Sequence, residues 1–244
     1  MCGRYTSTST LEQLAEQYEV DEVRSEPLPA RWNVAPTQQV YAVAVRRPRE
    51  PGEPSRRQLG QFRWGLVPSW AKDPSVGNRQ INARSEGLER KPAYRRALER
   101  RRCLIPADAF YEWQPQPGRK AKLPYVIRRV DGVPMAFAGL WEVWWDPAEK
   151  ERGDPLRTCT IVTAAANELL TSIHDRMPVV LDRGDWGTWL DPDLGTADVQ
   201  PLLRSAPDSW FEAYPVSSLV SNVANEGPEL VKPLPPPPGD RSTA

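Results

Sequence analysis

A cysteine at position 2 carries two nucleophiles on one residue once the initiator is gone. Removal of Met1 ahead of the small Cys2 side chain frees an α-amine beside a thiol. The amine has an ordinary pKa of about 7.7–8.0, far below that of lysine, so a useful fraction is neutral near pH 7. A neutral amine attacks aldehydes to form a Schiff base. The thiol can then close on the imine carbon to give a five-membered thiazolidine, which resists hydrolysis better than an open imine. The competing reading is an incidental residue at a frayed chain end.

Acid–base and binding groups lie further on. Glu112, in Ala109-Phe110-Tyr111-Glu112-Trp113, is a lone carboxylate among aromatics on an expected strand. Burial would raise its pKa into the range useful for general acid–base work, whereas strand alternation equally lets it face water. His174, the only histidine, sits in Ile173-His174-Asp175-Arg176-Met177-Pro178 and reads either as a proton shuttle or as a structural hydrogen-bonded group. Asn82 and Arg84 share Ile81-Asn82-Ala83-Arg84-Ser85-Glu86. Asn suits orienting a nucleophile and Arg suits bidentate phosphate contact, although the segment also reads as a helix N-terminus with its cap. In the bend Trp64-Gly65-Leu66-Val67-Pro68-Ser69-Trp70, Trp70 is the aromatic suited to stacking on an unpaired base, and Trp64 suits a core. Arg90, Lys91, Arg95, Arg96, Arg100, Arg101 and Arg102 either track a phosphate backbone or form a solvated helix face.

Composition narrows the classes. The 244 residues balance 32 basic against 32 acidic groups, so overall charge announces no polyanion partner, while a local basic surface stays open. A single histidine excludes multi-His metal centres. Cys2, Cys103 and Cys159 lack a CxxC spacing, which argues against zinc or a disulfide framework and for a reducing compartment. Cys103 and Cys159 suit a core, and no metal or cofactor is expected. The N-terminal residues lack an apolar signal segment, and no run reaches membrane-span length. A soluble cytoplasmic protein is therefore expected.

These residues need a scaffold. Residues 9–18 carry apolar groups at helical spacing, with a possible Thr10/Gln13 capping box. Strands are expected at 38–45, 58–65, 108–113, 124–129, 134–145 and 157–164, with a Pro-rich loop at 46–57. A basic helix is expected over 92–102, helical turns at 167–173, and short helices near 183–190 and 197–204. Residues 234–244 read as a disordered Pro-rich tail. Strands outnumber helices without regular alternation, so the expected class is α+β or mainly β, in one domain.

Taken in order, Met1-Cys2-Gly3-Arg4-Tyr5, Asn33-Val34-Ala35-Pro36, the Trp64–Trp70 bend, Ile81–Glu86, Cys103-Leu104-Ile105-Pro106, Phe110-Tyr111-Glu112-Trp113, Ile161-Val162-Thr163-Ala164-Ala165-Ala166, Ile173–Pro178, Pro215-Val216-Ser217 and Val223-Ala224-Asn225-Glu226-Gly227 resemble the SRAP family, the SOS response-associated peptidases. The resemblance covers residues 2–233. It implies a compact α+β domain with a barrel-like, mainly antiparallel β-core and peripheral helices, acting as a monomer at damaged DNA. It implies removal of Met1, by self-processing or otherwise, and a crosslink between Cys2 and an abasic site in single-stranded DNA or at a single-strand/double-strand junction. Asn82 would hold the Cys2 terminus, Glu112 would serve in imine formation and crosslink reversal, and His174 would help open the sugar. Arg4 and Arg84 would grip phosphates, with Pro36 and Trp70 against neighbouring bases. Some lyase activity is conceivable through the imine. Two rivals remain: a cysteine peptidase using Cys2 and His174 on other proteins, and a DNA-binding module without chemistry.

Overall fold

The hairpin expected around the 46–57 loop is present, and it forms two staves of a closed ring. The computed structural model describes residues 2–46, 54–148 and 153–235. Residues 47–53 of the loop and 236–244 of the tail lie outside them. Three short strands, β1 (Tyr5–Ser7), β2 (Glu22–Arg24) and β3 (Arg31–Val34), precede β4 (Gln39–Arg46) and β5 (Arg56–Trp64). Then come β6 (Asn82–Arg84), β7 (Arg102–Ala107), β8 (Ala109–Gln114) and β9 (Leu123–Arg129). Last are β10 (Met135–Trp144), β11 (Leu156–Ala165), β12 (Arg176–Pro178) and β13 (Phe211–Pro215).

Antiparallel pairing runs β5–β4–β7–β10–β11, and β11 returns to β5 in parallel through Thr158 beside Arg63 and Cys159 beside Trp64. The barrel-like core is thus a five-stranded ring. Its inward positions are mostly small: Ala42, Ala44, Gly60, Cys103, Gly139 and Cys159 alternate along the strands with a few large groups, Phe62, Trp64, Ile105 and Ile161. Five strands enclose little room. A Cβ on Gly139 would come within 2.8 Å of both the Cys103 sulfur and the Ile105 side chain.

The opposite strand face, with Val43, Leu59, Leu104, Leu140 and Val162, packs against helices. These are α1 (Leu11–Gln17), α2 (Arg95–Arg100), α4 (Trp186–Leu190) and α5 (Thr196–Val199), while the one-turn α3 (Glu168–Thr171) lies beside β12. The Thr10/Gln13 capping box forms as expected. The basic helix is shorter than 92–102, because Arg102 already belongs to β7. Arg102 is buried, with Nε 2.6 Å from the Trp189 carbonyl and Nη1 2.6 Å from that of Leu98. Its guanidinium joins the ends of α2 and α4 to the ring.

A second antiparallel sheet, β13–β9–β8–β1–β3, closes one end of the ring. Tyr5 meets Trp64 and Phe137 edge-on at 5.3 and 6.1 Å between ring centres, and Phe110 meets Phe137 at 6.0 Å. The chain start is therefore packed over a plugged barrel mouth rather than left loose.

Candidate functional site

Cys2 lies at that closed end, fully buried in the core cluster that includes Tyr5, Trp64 and Phe110. The frayed-terminus reading does not hold for it. Its carbonyl accepts a 2.8 Å hydrogen bond from Asn82 Nδ2. Asn82 is placed by β6, which runs parallel to β11 with Asn82 beside Ile161. The indole of Trp64 secures the preceding residue by donating to the Ile81 carbonyl at 2.9 Å. Asn82 therefore sits on a short strand, and the helix N-terminus reading of this segment falls. Its Oδ1 is buried and makes no hydrogen bond to a described residue. Burial, and then the nearby Glu112 carboxylate, push the Cys2 thiol well above its usual range, so it rests as a neutral SH.

Glu112 is supplied by β8, whose first four residues are all buried. It is only 4 % exposed, which settles the strand alternation in favour of an inward carboxylate. Burial raises its pKa from 4.5 to about 7; the α-amino charge at the chain start opposes the rise most, Asp175 adds to it and Lys122 opposes it less. His174 is brought opposite by the turn after α3, where Asn167 caps the helix and the His174 N–H donates to the Leu170 carbonyl at 2.9 Å. Its Nε2 stands 4.0 Å from Glu112 Oε2. Its Nδ1 accepts the Arg176 backbone N–H at 3.0 Å and lies 2.8 Å from Asp175 Oδ1. One nitrogen cannot accept from the amide and donate to the carboxylate at once. The Asp175 side chain is 83 % exposed, so the backbone bond is the more constrained and assigns the ring proton to Nε2. Desolvation lowers the His174 pKa below its usual value, which keeps the ring neutral at pH 7. Nε2–H then faces the Glu112 carboxyl across a gap that an oxygen or nitrogen atom can bridge.

Cys2, Asn82, Glu112 and His174, spread over the sequence, thus share one end of the barrel. The structure places the other expected site residues as follows. Arg4 donates to Asn33 Oδ1 at 2.8 Å and to the Val220 carbonyl at 3.0 Å, with its guanidinium 5.9 Å from the centre of the Trp113 ring. Arg84 is exposed on β6, two residues beyond Asn82. Pro36 is half-buried in the turn between β3 and β4. Trp70 is 66 % exposed in a turn closed by the Ala71 N–H on the Pro68 carbonyl. That turn packs on Trp144, whose indole donates to the Ala71 carbonyl. Among the described residues no hydrogen bond or ring contact joins Pro36, Trp70 or Arg84 to Cys2.

The chain has counterparts among known proteins. The family model described as SOS response associated peptidase (SRAP) matches residues 1–223. This chain belongs to the SRAP family. Its relatives include the abasic site processing protein YoqW of Bacillus subtilis, 42 % identical over 234 residues, with 95 % of this chain and 99 % of that protein covered. The abasic site processing protein YedK of Escherichia coli is 32 % identical over 241 residues, covering 96 % and 100 %. The abasic site processing protein HMCES of Gallus gallus is 35 % identical over 205 residues, covering 74 % of this chain and 59 % of that protein. Among solved structures, a Bacteroides thetaiotaomicron protein superposes with a TM-score of 0.80 at 22 % identity, over 96 % of this chain and all of that one. A Bordetella bronchiseptica protein does so with a TM-score of 0.71 at 26 % identity, over 88 % and 100 %.

Beside the Cys2 cluster stand Asn33, to which the sequence assigned no part, and Arg176, which it assigned to fixing the local loop. Asn33 is fully buried, and its Nδ2 reaches the carbonyls of Val220, Asn222 and Asn225 at 3.2, 2.9 and 3.0 Å. The Arg176 guanidinium binds Glu86 in a bidentate pair at 2.7 and 2.9 Å and also reaches the Thr163 carbonyl, fixing the loop that carries His174. Partners such as Glu86 and Arg176, 90 positions apart, and Asn33 and Asn225, 192 apart, leave no spacing signal. An Asn before a strand, flanked by apolar residues, was the only hint of the first.

Proposed function

We propose that this SRAP protein captures abasic sites in single-stranded DNA as a covalent adduct of Cys2, after Met1 has been removed. The observation that carries the reading is the Asn82 bond to the Cys2 carbonyl, beside the facing pair of Glu112 and His174. An abasic sugar is mostly a closed hemiacetal. In the proposed sequence the Glu112 carboxylate takes the C1′ hydroxyl proton as the ring C–O bond breaks, the departing ring oxygen, hydrogen-bonded by His174 Nε2–H, picks up a proton from solvent water, and the free α-amine attacks the resulting C1′ aldehyde. Glu112, poised near pH 7, protonates the departing hydroxyl, water leaves, and an imine forms. The Cys2 thiol adds to the same carbon, its proton passing to the Glu112 carboxylate, and the thiazolidine closes. The neutral thiol suits this last step, because the proton is available to be handed over as the C–S bond forms. Holding amine, sulfur and carboxyl together can contribute roughly 7–11 kcal/mol to such a bimolecular reaction. Ring closure competes with β-elimination and suppresses lyase cleavage.

Arg4 and Arg84 serve the phosphates in this reading, and Pro36 and Trp70 the bases beside the lesion, at single strands and junctions. The protein acts as a monomer in the cytoplasm. A peptidase acting on other proteins is less well supported, since attack on an amide needs a thiolate and burial beside Glu112 works against one.

The test is a gel assay with a single-stranded oligonucleotide bearing one abasic site. Wild type should give a heat-stable shifted adduct. Cys2→Ala and a form verified by mass spectrometry to retain Met1 should give none, and Cys2→Ser at most a labile product. A stable adduct from Cys2→Ala would overturn the mechanism. Salt-sensitive binding without any adduct would point to a non-catalytic DNA module, and cleavage of unrelated peptides to a peptidase.

A further inference from the structure

The ring closed by Cys2 at one end has a second mouth. β4 and β10 run towards it, and β5, β7 and β11 start from it. Here a cavity of about 550 Å³ opens, roomy because Ala44 and Gly60 are small, with the rings of Phe62 and Trp141 forming an aromatic wall. The two rings meet edge-on with centres 5.8 Å apart. Around the cavity stand six arginines from four parts of the fold: Arg24 of β2, Arg46 of β4, Arg157 of β11, and Arg96, Arg100 and Arg101 on and just after α2.

Among the described residues two carboxylates pair with them. Glu22 pairs with Arg24 at 2.6 Å, and the buried Glu142 holds Arg101 at 2.8 Å. Arg46, Arg96, Arg100 and Arg157 form no ion pair among the described residues. Arg96 and Arg100 are one turn apart on the same helix face, a like-charge arrangement that weakens a short helix unless an anion answers it. Loose solvation explains one exposed arginine. It does not explain arginines from separate strands and a helix lining one concavity.

We propose that this mouth is a second binding site, specific for the dianionic or polyanionic phosphate of a nucleotide. Guanidinium forks match phosphate oxygens in pairs. The aromatic wall suits a sugar or base behind the phosphate, and the volume falls in the range of small-ligand pockets. Arg157 lies four residues from Ile161, the partner of Asn82, which is about 13 Å along a strand. The site is thus separate from the Cys2 cluster and independent of its chemistry. A concave mouth admits the end of a molecule rather than a backbone running through. The phosphate belongs either to a free nucleotide or to the 5′ end of a strand.

Isothermal titration of the full chain with tripolyphosphate, ATP, 5′-phosphorylated thymidine dinucleotide and its 5′-hydroxyl counterpart tests this. At least one nucleotide phosphate should bind saturably and compete with tripolyphosphate. The 5′-hydroxyl dinucleotide should not compete. Binding of ATP alone identifies the free nucleotide as ligand, and binding of the phosphorylated dinucleotide identifies a strand end. The double variant Arg96→Glu/Arg100→Glu changes exposed positions outside the Cys2 cluster. It should weaken binding at least tenfold while circular dichroism stays native, and Arg96→Lys/Arg100→Lys should recover part of the loss. The proposal fails if none of the phosphates binds saturably, if the charge-reversed variant binds as wild type, or if the 5′-hydroxyl dinucleotide competes equally.

Discussion

Glu112 shows how one buried group sets both reactivity and stability. The low dielectric around it raises its pKa from 4.5 to about 7, which suits proton transfer near neutral pH and penalises the charged form. The sign for stability follows. The folded state holds the proton more tightly than the unfolded chain, so the protein is most stable relative to an ordinary carboxyl below pH 4.5. It loses that advantage as pH rises towards 7 and beyond. Glu112→Gln mimics the protonated carboxyl. It should raise the thermal midpoint at pH 8, by up to about 3 kcal/mol in unfolding free energy, with the gain fading to nothing near pH 4. Melting curves at both pH values check this, and a variant no more stable at pH 8 than at pH 4, relative to wild type, would contradict the raised pKa. The same substitution should slow adduct formation without abolishing DNA binding. On the proposed mechanism the substitution removes a proton donor and leaves the proposed phosphate contacts at Arg4 and Arg84 in place.

Short elements, many of only three or four residues, carry most of the site, and none is stable by its own propensity. Side-chain clamps hold them. Asn33 ties the segment from Val220 to Asn225 to β3 and accepts from Arg4, so it couples the 217–227 region to the chain start. Asn33→Ala should cost about 2–4 kcal/mol, from lost hydrogen bonds and carbonyls left buried without donors. Hydrogen exchange should rise mainly over 217–227 and around Arg4. Exchange rising uniformly instead would mean that Asn33 supports the core at large rather than this clamp. The Glu86 pair with Arg176 works in the same way on the His174 loop.

The molecule as a whole is a ring with two different ends. One is plugged by aromatic side chains and carries Cys2, and the other is lined with arginine. Closing five strands leaves room for little more than hydrogen and methyl at many inward positions. Gly139 is the tightest of these, so Gly139→Ala should cost about 1–3 kcal/mol by forcing the Cys103 and Ile105 side chains apart. Denaturant melts measure the loss. A neutral result would mean that the interior yields more easily than its 2.8 Å approaches imply.

Much of this architecture was legible in the chain itself. The long strands show as runs of β-branched, aromatic and small residues, and α1 shows in its apolar spacing and capping box, because both are local patterns with periods of two and 3.6 residues. The motif order from Cys2 to Gly227 carried the family. β7 was not legible, since Arg102 extends the charged run of α2 and Pro106 interrupts a strand pattern. β1, β2, β3, β6, β12 and β13 are too short for periodicity to register. Burial decided the rest. Sequence allowed Glu112 to face water or the core, and allowed the arginine run to be one solvated helix face. Only the folded ring turns Glu112 inward beside Cys2 and divides the arginines, sending Arg102 into the core and Arg96, Arg100 and Arg101 to the far mouth. Ionisation and ion pairing depend on what lies a few ångströms away in space, and such neighbours come from positions up to 192 residues distant along the chain.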